Sequence, residues 1–542
     1  MSNETGQPVT GTQEILRDIW STILKVDRIG IHDDFFGLGG DSLGTMRLLS
    51  AARKHGLKLS PADMRTHRTI AGQAQAAEGR QSAVRAEQPP AQSADTPAVD
   101  RTYPLLPIQH RFLEWPMGDH NHYNLALLAQ SQEPLDRNSM GAALSALVAR
   151  HDALRCRISR CNGEFVQTLA PAAEDIFPLE WHDLRDLSSK ESLALRSEVA
   201  ERLQSGMDLS AGPILAAAVF RSTEADQLMV IIHHMFCDGL SAAVLAEELS
   251  VLYRDIAVGA TSSGLLPAAT QYTEHAVAVQ RMAESPSILA AGNQWLALPW
   301  KNTGRLPERD AEGSLNRRYV RTVKQLLDER TTQAFLNAPK AQGISAEEAL
   351  LVAMAEAIAA VSGSSTVHFE LCRHGRRPVV PHHEVTRTIG WMFTVAPYVL
   401  QVDVAARVEP RSELIEQVRS IRELEHTWGA LRYTSPRSEV VDAIRALPTP
   451  ELYINYRGAD GLEPPWEAPL SDVKGDTGAY ISPEGEQQYP IKVWAEVRDG
   501  HLELVWFYST ERYDVDVITE LGRQVENSLT RFFDRSEIDA HK

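Results

Sequence analysis

The chain has 542 residues, of which 43% are hydrophobic and 23% are charged, values typical of a protein that builds large cores. Its 54 basic and 72 acidic side chains give a formal net charge of −18, which argues against a nucleic-acid binder. At roughly 150 residues per domain, the length predicts three or four units and excludes a single small module.

The cysteines and the apolar runs indicate the compartment. The four cysteines form no CxxC pair, so neither a disulfide framework nor a structural zinc site is expected. The N-terminus shows no basic stretch followed by an apolar core, and no run approaches the roughly 18 apolar residues of a membrane span. We therefore expect a cytoplasmic protein without a signal peptide and without membrane or nucleic-acid partners.

The first 78 residues are predicted to form a small helical bundle. Apolar residues repeat at helical spacing from Ile15 to Leu24, which indicates an amphipathic first helix. A second helix is predicted from about Leu43 to His55, and Gly56 is well placed to end it. Between the two helices lies a loop rich in Gly and Asp, IHDDFFGLGGDSLG. Without further information, this unit is a bundle with no evident chemistry.

The loop before the second helix carries a serine in the string GDSLG, Gly40 to Gly44. G-x-S-x-G is the nucleophile elbow of α/β-hydrolases, but an elbow follows a buried apolar strand, and IHDDFFGL does not look like one. The stretch DDFFGLGGDSLGTMRLL instead closely resembles the peptidyl carrier proteins of nonribosomal peptide synthetases, over about Thr10 to Ala77. The resemblance implies a small four-helix carrier bundle with 4′-phosphopantetheine on Ser42, whose thiol holds acyl groups as thioesters.

Residues 79–98 separate this unit from the rest of the chain. They are rich in Ala, Gln, Ser and Pro and cannot bury a core, so a flexible linker is predicted. From residue 99 to 542 strand and helix patterns alternate. Leu228 to Ile232 is a predicted buried strand, and a helix is predicted from Ser241 to Ile256 with Ser241 as its N-cap. This part is therefore predicted to be mixed α/β with more than one lobe.

Two adjacent histidines, His233 and His234, follow the predicted strand in the string IIHHMFCDGLS. Neighbouring residues at a strand end point to opposite faces, so one histidine can be buried while the other faces a channel. The alternatives are a metal-ligand pair or two hydrogen-bonded core histidines. Adjacent histidines on a strand chelate poorly and no third ligand is evident, so no metal site is predicted.

The string HH-x-x-x-D-G resembles the defining motif of the condensation superfamily of nonribosomal peptide synthetases. Other strings look like the remaining motifs of that family and span most of 101–542: YPLLPIQHRFLEW, RHDALRCRI, HGRR, IGWMFT and YINYRG. The resemblance implies an α/β (α+β sandwich) pseudo-dimer of two chloramphenicol-acetyltransferase-like lobes arranged in a V. The first lobe would cover about 99–270 and the second about 271–542, with a tunnel between them that carrier arms enter from opposite faces.

The same resemblance implies roles for individual residues. His234 is the catalytic histidine and His233 supports it. The unperturbed pKa of histidine, about 6.5, suits proton transfer near neutral pH, and whether His234 acts as a full base or positions the amine stays open. Asp238 is implied to form a buried ion pair with Arg376, and Gly239 to let the backbone approach the substrate.

The superfamily contains both condensation and epimerisation domains. Epimerisation domains usually carry E-G-H-G-R, whereas LCRHGRR places Cys372 at the glutamate position. Either Cys372 or Glu370, two residues earlier on the same strand face, could serve as the second acid/base; the alternative for Cys372 is a small buried residue. Three residues are predicted to line the tunnel: Trp391, Asn455 and Tyr456.

Amide bond formation is the predicted reaction, because it needs a positioned amine and one proton acceptor. Epimerisation of the Cα of a carrier-bound residue is the alternative, and a non-catalytic carrier-docking scaffold is the third. The sequence shows none of the long adenylation-domain motifs. The predicted partners are therefore an adenylating enzyme, upstream or downstream carrier proteins of other synthetase subunits, and a phosphopantetheinyl transferase.

Overall fold

The structure is a computed structural model of the chain. It describes residues 10–24, 26, 28–36, 38, 40, 42–57, 59, 61–84, 101–172, 176–260, 266, 269–341, 343–376, 385–403, 411–459 and 465–539. Within these ranges, no helix combines the length and the apolar character that crossing a bilayer requires.

The N-terminal unit is a four-helix bundle, as predicted. Its helices are α1 (Gly11–Leu24), α2 (Ser42–Lys54), α3 (Pro61–Thr66) and α4 (Ile70–Val84). Trp20 and Phe35 are fully buried between the helices, and the indole N–H of Trp20 donates to Oε1 of Gln73 at 3.0 Å. Gly56 follows α2 with a φ of +75°, a left-handed conformation in which glycine is favoured after a helix.

The linker prediction needs a correction at its start. Helix α4 continues to Val84, so residues 79–84 are helical. This stretch contains Ala, Gln and Arg, which continue a helix without needing a buried face. The rest of the predicted linker, residues 85–98, lies outside the described residues.

The first lobe is built on a mixed sheet. Its elements are α5 (Pro107–Glu114), β1 (Asn124–Ser131), α6 (Arg137–Arg150), β2 (Cys156–Cys161), β3 (Glu164–Leu169), β4 (Leu179–Asp183), α7 (Ser189–Ser205), β5 (Leu215–Arg221), β6 (Asp226–His233) and α8 (Gly239–Ala257). Strand β6 lies between β1 and β5 and is antiparallel to both. The residues 228–233 of β6 are all buried, as expected for a central strand covered on both faces.

The second lobe has a larger sheet. Its elements are α9 (Tyr272–Ala283), α10 (Pro286–Leu296), β7 (Val320–Leu326), α11 (Glu329–Ala341), α12 (Ala346–Ser362), β8 (Thr366–Arg373), β9 (Thr394–Gln401), α13 (Arg411–Gly429), α14 (Glu439–Arg445), β10 (Leu452–Ala459), β11 (Ser471–Asp472), β12 (Ile491–Arg498), β13 (His501–Ser509) and α15 (Val515–Asp539). The sheet order is β7-β13-β12-β10-β8-β9.

One short strand crosses between the lobes. Strand β11, from the second half of the chain, pairs with β1 through Ala129 and Asp472, so the first sheet reads β11-β1-β6-β5-β4. Trp391 and Met392 also belong to the core of the first lobe. The boundary near residue 270 therefore separates the two sheets except for β11, and residues of the second half of the chain contribute to the core of the first lobe.

The predicted strand and helix around the histidine pair are both present, but the helix begins earlier than predicted. Asp238, not Ser241, is the N-cap of α8, because the Asp238 carboxylate accepts the backbone N–H of Ser241 at 2.8 Å. The aspartate of the motif is thus fixed between the end of β6 and the start of α8.

Candidate active site

His233 is a structural residue at the end of β6. Its side chain is fully buried, its Nε2–H donates to the carbonyl oxygen of His120 at 2.8 Å, and its Nδ1 accepts the N–H of Met235 at 3.1 Å. Burial lowers its pKa to about 3. Both ring nitrogens are thus occupied and the imidazole is neutral at physiological pH.

His234 begins the short turn after β6 and faces a cavity. Its ring stacks on Tyr123, with centroids 4.8 Å apart and planes within 8°, and also lies 4.8 Å from the ring of Trp391. Its Nδ1 is itself buried and has no hydrogen-bond partner among the other described residues. Burial, and to a smaller extent the charge of Lys492, lowers the pKa of His234 to about 4. The imidazole is therefore neutral near pH 7 and can accept a proton or a hydrogen bond.

Asp238 and Arg376 form the ion pair that the resemblance implies. Arg376 Nη1 lies 2.7 Å from Asp238 Oδ2, and neither side chain has exposed surface. The same carboxylate accepts the N–H of Met392 at 3.0 Å. Burial alone would raise the pKa of Asp238, but the Arg376 guanidinium and these hydrogen bonds hold it below its ordinary value. The pair stays ionised, and Arg376 Nε is the atom of the guanidinium that has no hydrogen-bond partner among the described residues.

The arginine is held by a tight turn. Arg376 Nη2 donates to Ser241 Oγ at 2.8 Å and to the carbonyl oxygen of Thr388 at 3.0 Å. Gly375 has a φ of +64°, and a Cβ at this position would lie 1.6 Å from the carbonyl oxygen of Met392. Only glycine fits there, which explains the glycine of the HGR string.

The cavity beside His234 has a volume of about 330 Å³. Its lining residues are Ile108, Arg111, Phe112, Trp115, Tyr123, His234, Arg317, Val320, Trp391, Phe393, Val395, Tyr453, Asn455, Tyr480, Ile481, Gln487, Gln488, Tyr489, Lys492, Trp494 and Phe507. Four of them also line a second cavity beside α5, α9 and α13: Ile108, Arg111, Phe393 and Val395. The two cavities adjoin across these residues, as expected for a tunnel.

Two of the three tunnel residues predicted from the sequence lie at this cavity. Trp391 and Asn455 line the cavity. Tyr456 does not; because side chains alternate along β10, it packs on the core of the second lobe, so this prediction is corrected. Gly239 opens α8 directly after Asp238 and is not among the lining residues.

Glu370 is held in a buried cluster that the sequence did not reveal. Arg111 Nη2 lies 2.6 Å from Glu370 Oε2, and the Tyr489 hydroxyl donates to the same oxygen. Arg111 Nη1 is 3.3 Å from the Tyr433 hydroxyl. Burial raises the pKa of Glu370, and Arg111 opposes that rise. The carboxylate does not line the cavity, so its place in the structure is that of a partner for Arg111.

Cys372 also lies behind the cavity wall. It is buried, it is hydrogen-bonded to Tyr453, and burial raises the pKa of its thiol to about 12. Strand pairing places Asn455 opposite Cys372, and both Tyr453 and Asn455 line the cavity, whereas Cys372 does not. The geometry therefore favours the buried-residue interpretation of Cys372.

The structure adds Lys492 to the site. This lysine lies on β12 and lines the cavity with its Nζ 4.8 Å from the Trp494 ring centroid. Burial, together with the charge of Arg317, lowers the pKa of Lys492 to about 8. In the sequence the string IKVWAEV has the alternation of an ordinary half-exposed strand, so no signal marked this lysine.

In the carrier unit, Ser42 is the first residue of α2. A Cβ on Gly40 would lie 2.7 Å from the backbone oxygen of Phe35, so the loop before the serine requires a glycine. The described residues just before it, 28–36, 38 and 40, form no strand beyond an isolated bridge at Asp34. The hydrolase elbow is therefore excluded, and a serine hydroxyl at a helix start suits the attachment of an arm.

The family models decide the assignment. Residues 99–538 match the model described as Condensation domain, and residues 14–77 match the model described as Phosphopantetheine attachment site. The chain belongs to the condensation domain family. Its condensation domain follows a carrier domain for 4′-phosphopantetheine, and the two matches lie on either side of residues 79–98.

Curated relatives are peptide synthetases. The chain is 30% identical to one of the linear gramicidin synthase subunits of Brevibacillus parabrevis over 95% of its own length, and 27% identical to surfactin synthase subunit 2 of Bacillus subtilis (strain 168) over 97%. It spans 10% and 14% of those proteins. The chain thus corresponds to a small section of much longer proteins.

Solved structures show the same fold. The epimerization domain from the third module of tyrocidine synthetase B superposes with a TM-score of 0.70 at 24% identity, covering 82% of this chain and 99% of that one. The condensation domain from Monacolin K polyketide synthase superposes with a TM-score of 0.61 at 14% identity, covering 80% and 98%. These similarities confirm the predicted pseudo-dimer of two lobes.

Proposed function

We propose that the condensation domain of this chain forms an amide bond between an acyl thioester and an amine in nonribosomal peptide synthesis. The observation that carries the proposal is the state of His234. It is neutral, and it lines a cavity whose described lining contains no Asp or Glu. The cavity thus offers a proton acceptor but no carboxylate to act with it.

Ser42 is the residue that would carry the arm. When bound, 4′-phosphopantetheine supplies a thiol that holds an acyl group as a thioester. The chain's own contribution is the position of the serine, which begins α2 after the tight turn at Gly40. A phosphopantetheinyl transferase would modify Ser42, and an adenylating enzyme would supply the acyl group.

His234 would act on the attacking amine. As the C–N bond forms and the C–S bond breaks, the nitrogen loses a proton, which the neutral imidazole accepts and passes to the departing thiolate. The rings of Tyr123 and Trp391 fix the plane of the His234 imidazole, so the imidazole is positioned before the substrate arrives. The Asp238–Arg376 pair holds the surrounding segments and does not react.

Epimerisation is the second candidate, because one observation favours it. Inversion at Cα needs one group to take a proton and another to return it from the opposite face. Cys372 and Glu370 lie off the cavity, so they are poorly placed for this role. Lys492 lines the cavity and has a pKa of about 8, so it is the ionisable side chain that could complete such a pair.

A deuterium experiment separates the two reactions. The full chain, pantetheinylated and loaded with an L-aminoacyl group, is incubated in deuterated buffer with and without a second aminoacyl carrier. Amide formation without deuterium at Cα is the expected outcome. Deuterium at Cα together with D-product would contradict the proposal and support epimerisation.

A further inference from the structure

The cavity beside His234 is positively charged, although the whole chain has a net charge of −18. Arg111, Arg317 and Lys492 line it, and within the described part of the chain no Asp or Glu does. Arg111 is neutralised by Glu370, 2.6 Å away behind the cavity wall. The charges of Arg317 and Lys492 have no carboxylate within ion-pair distance among the described residues.

Of these two cations, Arg317 is engaged through Nη1, whereas its Nη2 is buried without a partner among the described residues. Its guanidinium donates to the carbonyl oxygens of Met117 at 3.1 Å and Ser482 at 2.8 Å, and it lies over the Trp115 ring at 5.2 Å. Lys492 differs, because its ammonium has no hydrogen-bond acceptor among the described residues. Because the unpartnered nitrogen of Arg317 is buried, Lys492 is the better placed of the two to bind a ligand in the cavity.

The aromatic neighbours of Lys492 hold its ammonium in place. Nζ lies 4.8 Å from the ring centroid of Trp494 and 5.2 Å from that of Phe507. Such contacts stabilise a cation but do not replace a counter-ion. Its pKa of about 8 leaves Lys492 mostly protonated at pH 7. Lys492 is partly buried, so its ammonium has lost part of its hydration without gaining an anion among the described residues, and an anionic ligand would offset that loss.

We propose that the cavity binds an acyl or aminoacyl unit that carries a carboxylate, and that Lys492 holds this carboxylate. The inference rests on the proposed function for one point, that the thioester end of the substrate reaches His234. It names the substrate class: a carrier-bound residue with an acidic side chain, such as an aspartyl or glutamyl group, or a dicarboxylic acyl chain.

Two anions could meet Lys492, since the phosphodiester of a pantetheine arm offers the same anionic oxygens. The position of the lysine favours the carboxylate. Lys492 lies in the same cavity as His234, and its charge reaches the imidazole strongly enough to contribute to its lowered pKa. The phosphodiester is at the opposite end of the arm from the thioester, so it would lie far from His234.

A purely structural role makes a different prediction. The aliphatic stem of Lys492 could simply cover Trp494 and Phe507, as lysine stems often do. Methionine would then replace lysine with no effect on the choice of ligand. The carboxylate proposal instead requires that this substitution remove a preference between ligands of equal shape.

The test is a binding experiment on the full-length chain with Ser42 unmodified. The probes are stable amide analogues of glutamyl-pantetheine and glutaminyl-pantetheine, which differ only in carboxylate against carboxamide. By titration calorimetry, the wild-type protein is expected to bind the glutamyl analogue at least about tenfold more tightly. Lys492→Met is expected to reduce the difference to less than about twofold. Lys324→Met, at a lysine of the same sheet whose side chain is 70% exposed, should leave the preference unchanged.

Each other outcome overturns the inference. If the wild-type protein binds the two analogues with equal affinity, a carboxylate site is excluded even when Lys492→Met fails to fold. Lys492→Gln provides a second variant for that case. A preference that persists in both variants excludes Lys492. The glutaminyl analogue can also be tested with a 4′-phosphate added. If this phosphate raises the binding affinity and Lys492→Met alone abolishes the increase, Lys492 binds the phosphodiester and not a carboxylate.

The result is independent of the reaction. A Lys492-dependent preference in a protein that forms no amide would contradict the proposed function and support the carboxylate site. Amide formation by a protein that shows no preference for the glutamyl analogue would support the proposed function and contradict the carboxylate site.

Discussion

Two adjacent histidines in this chain have opposite environments. His233 has both ring nitrogens hydrogen-bonded in the interior, whereas the ring of His234 lines the cavity. The cause is the end of β6: His233 keeps the strand conformation, and the turn that starts at His234 carries the next side chain to the other side. The same residue type is thus hydrogen-bonded in the interior at one position and lines the cavity at the next.

At this scale we expect His234→Ala to lower product formation by at least about a hundredfold, because the proton acceptor is lost. Its thermal stability should remain close to that of the wild type, since no protein hydrogen bond of Nδ1 is broken. The measurement is product formation from the loaded carrier, with a thermal melt of the same sample. Unchanged product formation would support the non-catalytic scaffold.

The matched control is the neighbouring residue. His233→Ala leaves the His120 carbonyl and the Met235 N–H without partners, so we expect a loss of about 1–3 kcal/mol in the free energy of unfolding. If His233→Ala were as stable as the wild type while His234→Ala unfolded, the roles assigned to the two histidines would be reversed.

At the scale of elements, Asp238 joins three segments. It caps α8, it accepts the N–H of Met392, and it pairs with Arg376 from the turn after β8. These contacts connect the first lobe to two segments of the second half of the chain. The aspartate of the histidine motif therefore joins three segments close to His234.

We expect Asp238→Asn to cost about 3–5 kcal/mol, because it leaves the buried Arg376 guanidinium without its counter-charge. The midpoint of urea unfolding of the full chain measures this loss. Asp183→Asn removes an exposed carboxylate from its pair with Arg185 and should leave the midpoint unchanged. Equal shifts of the urea midpoint in the two variants would show that the buried ion pair contributes no more to stability than the exposed one.

The local motifs of the sequence predicted much of the site. Of the residues that the motifs singled out, His234 lines the cavity, Asp238 forms the buried ion pair and Ser42 begins α2, while their chemical roles stay predictions. The cross-sheet neighbours were not predictable, because Lys492 reaches the cavity through the pairing of β12 with β10 and not through local sequence. Tyr456 was assigned to the wrong face for a related reason: a strand pattern shows alternation but does not show which set of side chains faces the tunnel.

At the scale of the whole molecule, buried neutral histidines make stability depend on pH. Burial lowers the pKa of His233 and of His368 from 6.5 to about 3, and burial with the charge of Arg445 lowers that of His110 to about 4. Below pH 6.5 the unfolded chain therefore binds protons that the folded chain does not bind. The stability from these groups is fully present above that pH and decreases as the pH falls toward 4.

We expect the free energy of unfolding to fall between pH 6.5 and 4, by up to about 1.4 kcal/mol per pH unit for each such histidine. His368→Phe removes one of these groups outside the active site and should make the slope shallower. Urea unfolding at a series of pH values measures both slopes. Identical slopes for the variant and the wild type would contradict this origin of the acid sensitivity.

The two-residue strand β11 has a consequence for biosynthesis. Until a ribosome has passed Asp472, the outer edge of β1 has no partner, so the earlier half of the protein would expose an open sheet edge while the later half is being made. The sheet of the first lobe therefore gains its last strand only when the second half of the chain is present. A shortened chain ending near residue 270 would keep every strand of its own sheet except the one that closes it.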